Sequence, residues 1–176
     1  IEGGYLFYLD ESGTRGLVAA MEDLEGTYEW GCYEIEVDGA DGTSIGSGLQ
    51  NTMDILNQGC STENGGITAA QGAFDYETED YSTWFLPSKN ELELMNTNIG
   101  NVSLGGNVGG FDFITPYWSS SRHSYNNSWG VDLSDFNTFN NYHHTYYRVR
   151  PIRAFGYVQG CMDVTACNFY PEANMA

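Results

Sequence analysis

Apolar positions follow a strand-like register at both ends of the chain and a helix-like register between them. "YLFYLDESGTRGLVAA" reads as a hairpin, with Tyr5 to Leu9 going out, "DESGTRG" as the polar turn, and Leu17 to Ala20 returning. "TYEWGCYEIEV" is a second strand-like region, closed by the glycine-rich "DGADGTSIGSG". From Leu49 to Asn57 the apolar residues Leu49, Met53 and Leu56 recur at helical spacing. Ile67 to Phe74 is a shorter helical pattern, interrupted by Gly72. Ser88 stands three residues before Glu91, with Pro87 ahead, which is a capping box. Leu92, Met95 and Ile99 then share a face, so a helix is predicted over Lys89 to Asn98. After a glycine-rich loop come three strand-like stretches. They are "YWSSS", "WGVDL" with Trp129, Val131 and Leu133 alternating inward, and "YYRVRPIRAF", whose Pro151 confines it to an edge or a bulge. The expected architecture is α+β: a mostly antiparallel sheet, two or three flanking helices, and terminal strands able to pair.

The chain has 176 residues, 41% of them hydrophobic, which is enough for one well-formed core over residues 1–157. It starts at Ile1 and is expected to be a piece of a longer protein. No run of about eighteen apolar residues occurs, so no membrane insertion is expected. Against 24 acidic residues stand six Lys and Arg, a formal charge of −18. Such a surface repels phosphate backbones and argues against nucleic acid as a partner.

Four cysteines fall as Cys32 with Cys60 and Cys161 with Cys167, none in a C-x-x-C spacing. Four cysteines admit three pairings, and buried free thiols suit Cys32 and Cys60 equally well. Oxygen ligands are plentiful, among them Asp38 and Asp41 in a glycine-rich turn and Asp163, Asn168 and Glu172 near the end. No cofactor is expected, while calcium stays open. No nucleophile, base and orienting group fall together. Ser119, Ser120 and Ser121 precede His123 without a G-x-S-x-G, so catalysis is not expected.

The block after "YWSSS" is crowded with residues suited to contact. Arg122, His123, Tyr125, Asn126, Asn127, Phe136, Asn137, Asn140, Asn141, Tyr142, His143, His144 and Tyr146 are the candidate ligand-binding residues. Tyrosine supplies large amphipathic contacts at low entropic cost, and Asn supplies adaptable hydrogen bonds. They are expected on one exposed face, with His143 and His144 split between that face and its edge because strand neighbours alternate. Trp118, Trp129, Val131, Leu133 and Val149 are expected to anchor the scaffold beneath.

"WFLPSKNELELM", "YWSSS", "WGVDLSD" and "RVRPIRAF", together with the opening "YLFYLDESGTRGLVAAMEDL" and "YEWGCY", resemble the Lcl C-terminal domain family, including its Fibrobacter-type paralogous members. That family looks related to the C-type-lectin-like fold of formylglycine-generating enzymes and of the variable proteins of diversity-generating retroelements. The resemblance implies paired terminal strands, flanking helices, and a carboxy-terminal surface that displays ligand contacts. The "EPN", "QPD" and "WND" motifs of calcium-dependent lectins are absent, and "WGVD" is a loose echo. The tail "GCMDVTACNFYPEANMA" resembles a short cysteine-containing repeat of surface proteins, which makes 158–176 its beginning. Retroelement targets are often Asn codons that cannot become Lys, Glu, Gln, Met or Trp. From Ser119 to Tyr147, Trp129 is the sole residue of those types. The expectation is therefore a non-catalytic extracellular receptor-binding or adhesin module with a diversified surface, on a phage virion or a bacterial cell. Its partner would be a cell-surface protein or glycan. The alternative is a structural or carbohydrate-binding module without diversification.

Overall fold

In the computed structural model, which describes residues 3–100 and 106–156, the first and last of the described strands enter one sheet. The elements in chain order are β1 Tyr5–Leu9, β2 Gly16–Ala19, β3 Tyr28–Glu29, α1 Gly48–Asn57, α2 Ala69–Phe74 and α3 Lys89–Met95. A π-helical turn over Asn96–Gly100 follows, and then β4 Tyr117–Ser124, β5 Asn127–Asp132, β6 Asn137–Tyr142, β7 Tyr146–Tyr147 and β8 Ile152–Phe155. The architecture is α+β, and all pairings between these strands are antiparallel.

The terminal strands do not pair with each other, contrary to expectation. Their sheet has the order β1-β2-β8, so β2 lies between them. All four β2 residues, Gly16–Ala19, are buried, which suits a central strand. β8 takes an edge beyond Pro151, whose carbonyl still accepts from Ala20 N at 2.9 Å.

α3 begins as its capping box requires. Ser88 Oγ accepts from Glu91 N at 3.4 Å, and Glu91 Oε2 accepts from Ser88 N at 2.7 Å. Glu91 Oε1 also accepts from Gly46 N at 2.7 Å, so this carboxyl ties the glycine-rich loop to the helix start. Burial pushes its pKa up, against those hydrogen bonds. Leu92, Met95 and Ile99 are buried as their spacing predicted.

The face of α1 differs from the prediction. Its buried residues are Gly48, Asn51, Thr52 and Ile55, while Leu49, Met53 and Leu56 are only half-buried. Specific polar partners outweigh the apolar stripe here. Asn51 Nδ2 donates to Gly42 O at 2.6 Å, and Thr52 Oγ1 accepts from Leu86 N at 3.1 Å. In α2, Gly72 is a packing residue rather than an interruption. A Cβ there would meet Leu24 Cδ1 at 3.0 Å and the Tyr28 ring at 3.1 Å.

"TYEWGCYEIEV" yields only the two-residue β3, which pairs with β7. Cys32 and Glu34 then adopt left-handed φ values of 56° and 54°, which end the strand. Cys32 and Cys60 form a disulfide, resolving the pairing for these two residues. Cys161, Cys167, Asp163, Asn168, Glu172 and the repeat-like segment 158–176 lie outside the described residues.

Two large clusters of buried side chains carry the fold. One gathers Phe7, Leu17, Phe85, Leu92, Tyr117, Val131 and Ile152 between the first sheet and α3. The other gathers Trp30, Ile55, Ala69, Ala73, Leu86, Trp118 and Val149 beneath β4 and β7. Trp118, Val131, Leu133 and Val149 are thus scaffold residues, as expected.

Candidate binding surface

β4, β5 and β6 form a three-stranded sheet, and their turns and outer faces carry the candidate residues. His123, Tyr125, Phe136, Asn137, Asn140, Tyr142, His144 and Tyr146 are exposed, and Arg122, Asn126, Asn127 and Asn141 are half-buried. They do not share one face. The ladder sets Trp129 opposite Asn140 and Asn127 opposite Tyr142, whereas Ser128 opposite Asn141 and Gly130 opposite Phe139 point to the other side. On the first side the His123 ring packs edge-on to Trp129 at 4.6 Å, and Lys89 Nζ lies 5.5 Å from the Trp129 ring centre. Asn127 Nδ2 donates to Asn140 Oδ1 at 3.1 Å. On the second side Asn141 Nδ2 donates to Tyr147 OH at 2.7 Å. Asn137 sits at the far end of the ladder, five positions from Tyr142, or about 17 Å, with Phe136 in the turn just beyond it. Arg122 Nε donates to Gly39 O at 3.2 Å.

Trp129 is half-exposed and belongs to this surface, not to the anchoring core. The reason is register: Val131 and Leu133 reach the core, but two residues earlier the strand has passed the end of the buried cluster.

His143 is the larger correction. It is 1% exposed, with its ring stacked on Trp30 at 4.3 Å and its Nε2 2.9 Å from Ser128 Oγ. β6 ends at Tyr142, and in the turn that follows His143 N donates to Asn126 O at 3.0 Å while its ring turns in against Trp30. Burial lowers its pKa from 6.5 to about 4, against backbone hydrogen bonds at Cys32 and Asn127 that favour the charged form. The unfolded chain takes up this proton near 6.5, whereas the folded protein resists until about 4. The stability from keeping this ring neutral is therefore complete above that window and is lost as pH falls through it, by about 3 kcal/mol. Urea unfolding of wild type and His143→Gln at several pH values checks this. The stability difference between the two should narrow by about that amount between pH 7 and pH 4, and a constant difference refutes it.

The three serines are structural members of β4. Ser119 Oγ donates to Trp129 O at 2.8 Å, and Ser121 Oγ donates to Gly42 O at 2.7 Å while accepting from Lys89 N at 2.9 Å. Ser120 Oγ lies 3.3 Å from Asn51 Nδ2. Asp38 and Asp41 are loop residues, and among the described residues no group of three His, Cys, Asp or Glu is placed to hold a metal ion.

At one end of the sheet the candidates meet residues from the amino-terminal half. Tyr142 and His144 stack at 5.5 Å, and Tyr33 packs edge-on to His144 at 5.8 Å. Tyr125 OH donates to Glu34 O at 2.9 Å. Tyr146 OH donates to Glu29 Oε1 at 2.7 Å, and the same carboxylate accepts from Glu63 N at 2.8 Å and Asn64 Nδ2 at 3.0 Å. Burial pushes the Glu29 pKa up, but the bonds from Tyr146, Asn64 and the Glu63 backbone outweigh it and hold the carboxyl below its ordinary value. The carboxylates of Glu34 and Glu63 push the Tyr33 phenol up. Tyr33, Glu34, Glu29 and Glu63 were not among the sequence candidates. The alternation of aromatic and acidic residues in "YEWGCYEIE" could have pointed to Glu29, Tyr33 and Glu34, but no comparable pattern surrounds Glu63. A scan against protein-family models and a search of curated proteins find no match for this chain.

Proposed function

We propose that this chain is a non-catalytic, extracellular ligand-binding module with a C-type-lectin-like fold, and that the end of the β4–β5–β6 sheet is its binding surface. The observation that carries the reading is the cluster of Tyr125, Tyr142, His144 and Tyr146 beside Tyr33. The three named strand and turn tyrosines are 48%, 56% and 46% exposed, an aromatic load that a merely solvated turn does not need. The cluster stands on a buried base, so its side chains can vary without loss of the core. The Cys32–Cys60 disulfide suits an oxidising compartment, as expected for a phage virion or a bacterial cell surface. The partner is a cell-surface protein or glycan receptor. Resemblance to the Lcl C-terminal domain family and to retroelement variable proteins, together with the residue types missing between Ser119 and Tyr147, supports a diversified surface. A near-copy of this stretch in the same genome, differing mainly at adenines, is the expected finding; its absence removes diversification and leaves the binding role.

The binding role is tested with a panel of glycans and surface-protein ectodomains. Tyr125→Ser, Tyr142→Ser and Tyr146→Ser combined should weaken any binding seen with wild type by more than about tenfold, since each lost aromatic anchor costs on the order of 1 kcal/mol or more. The circular dichroism spectrum should stay unchanged. Undiminished binding by a folded triple variant overturns the assignment.

A further inference from the structure

Next to Tyr146 the surface opens into a cleft of about 260 Å³, lined by Glu25, Tyr28, Glu29, Ile67 and Tyr146 with Thr62, Gly65 and Gly66 at its rim. It is smaller than the roughly 300–1,000 Å³ in which whole small-molecule ligands sit, so it fits one side chain of a larger partner. Its walls are two tyrosines and an isoleucine, and among the described residues that line it the ionisable groups besides the phenols are the carboxylates of Glu25 and Glu29. Neither carboxylate forms an ion pair with Lys or Arg among the described residues. Glu29 is held rigidly by Tyr146, Asn64 and the Glu63 backbone and contributes a fixed negative charge under the cleft. Glu25 is exposed and free to reach a ligand.

We propose that this cleft is an anchor pocket for an arginine side chain presented by a protein partner. The guanidinium would lie against the Tyr28 and Tyr146 rings with Glu25 as its hydrogen-bonding counter-ion. Aromatic faces attract cations most strongly where water is partly excluded, and Arg matches a carboxylate with two parallel donors. Burial and then the Glu25 carboxylate push the Tyr28 phenol up, which agrees with a negative field inside the cleft. The field disfavours anionic sugars there, and the volume disfavours a disaccharide. The Tyr33, Tyr142 and His144 cluster beyond Tyr146 would cover the surface around the anchoring arginine. The inference rests on reading that face as a binding surface.

The probe is the blocked peptide acetyl-Gly-Arg-Gly-amide, titrated into the chain and followed by amide chemical shifts, with its citrulline counterpart as the uncharged isostere. Saturable shifts are expected at Gly26, Gly66, Ile67 and Tyr146, at least about tenfold weaker with citrulline. Glu25→Gln should weaken the arginine peptide several-fold, while Glu11→Gln at the distant β1–β2 turn should leave it unchanged. Equal binding of citrulline, shifts centred elsewhere, or equal weakening by Glu11→Gln overturns the pocket; the last result would mean only diffuse attraction to a chain of charge −18. If the arginine peptide fails while the triple tyrosine variant still loses panel binding, the pocket falls and the binding role stands.

Discussion

Arg150→Ala is expected to lower the stability of the folded chain by about 4 kcal/mol, because it strips one partner from a buried charge pair. Arg150 is 1% exposed. Its Nε donates to Asp23 Oδ1 at 2.6 Å, and its Nη1 donates to Ala20 O at 3.1 Å and Gly109 O at 2.8 Å. Its guanidinium also lies 4.4 Å from the Phe111 ring centre. Truncation leaves two carbonyls and Asp23 Oδ1 without that partner. The network reaches further, since Tyr117 OH donates to Asp23 Oδ2 at 2.7 Å and Arg148 sits 2.6 Å from Asp112. Burial and the Asp23 carboxylate push the Tyr117 phenol up, so it remains a donor. Arg148 is too far from Asp23, at 3.9 Å, to take over the pairing fully. Arg150→Lys keeps the charge but loses the planar fork and should fall between the variant and wild type. In a chain of this size the alanine variant should melt about 8–16 °C lower. A shift of under about 2 °C would show that Arg148 and solvent replace Arg150, and would overturn this expectation.

What could be read from the sequence was mostly local. Ser88 and Glu91 are three residues apart, and the helix they start was legible because the capping partners lie within one turn of each other. Leu17 to Ala20 returned to Tyr5 to Leu9 for the same reason: a short polar turn closes cheaply. The apolar stripe of α1 misled, because Asn51 and Thr52 find buried partners far along the chain at Ser120 and Leu86. His143 misled in the same way, and nothing in the sequence singled out Arg150. His143 looks like its exposed neighbours Tyr142 and His144 in composition, and His143 and Arg150 are each buried against a partner more than a hundred residues earlier, Trp30 and Asp23. Nothing in the local period of "YHHT" or "RVRP" encodes those partners. The sequence candidates are mostly exposed, but they do not share the single face expected of them. Alternation along β6 sends Asn140 and Asn141 to opposite sides, and the surface is completed by Tyr33 and the Glu29 and Glu63 carboxylates from the amino-terminal half.

Opening the Cys32–Cys60 disulfide should weaken both the fold and the surface it supports. The bridge closes a loop with a sequence separation of 28, for which the chain-entropy argument gives about 3–4 kcal/mol. Cys32 is fully buried in the cluster beneath β4 and β7, with Trp30, Val37 and Ala40 as members of the same cluster. Tyr33 and Glu34 follow directly, and the left-handed backbone at Cys32 and Glu34 persists because the bridge and this packing hold it. Without the bridge the segment gains freedom, Tyr33 leaves the His144 ring, and Glu34 O no longer meets Tyr125 OH. Two effects should therefore appear together in Cys32→Ala/Cys60→Ala: a lower urea midpoint and weaker panel binding, with the loss of binding persisting at temperatures where the variant is still folded. A variant as stable as wild type would show that packing alone holds the loop. A destabilised variant that binds as tightly as wild type while folded would show that Tyr33 and Glu34 lie outside the contact, and the amino-terminal half would drop out of the binding surface.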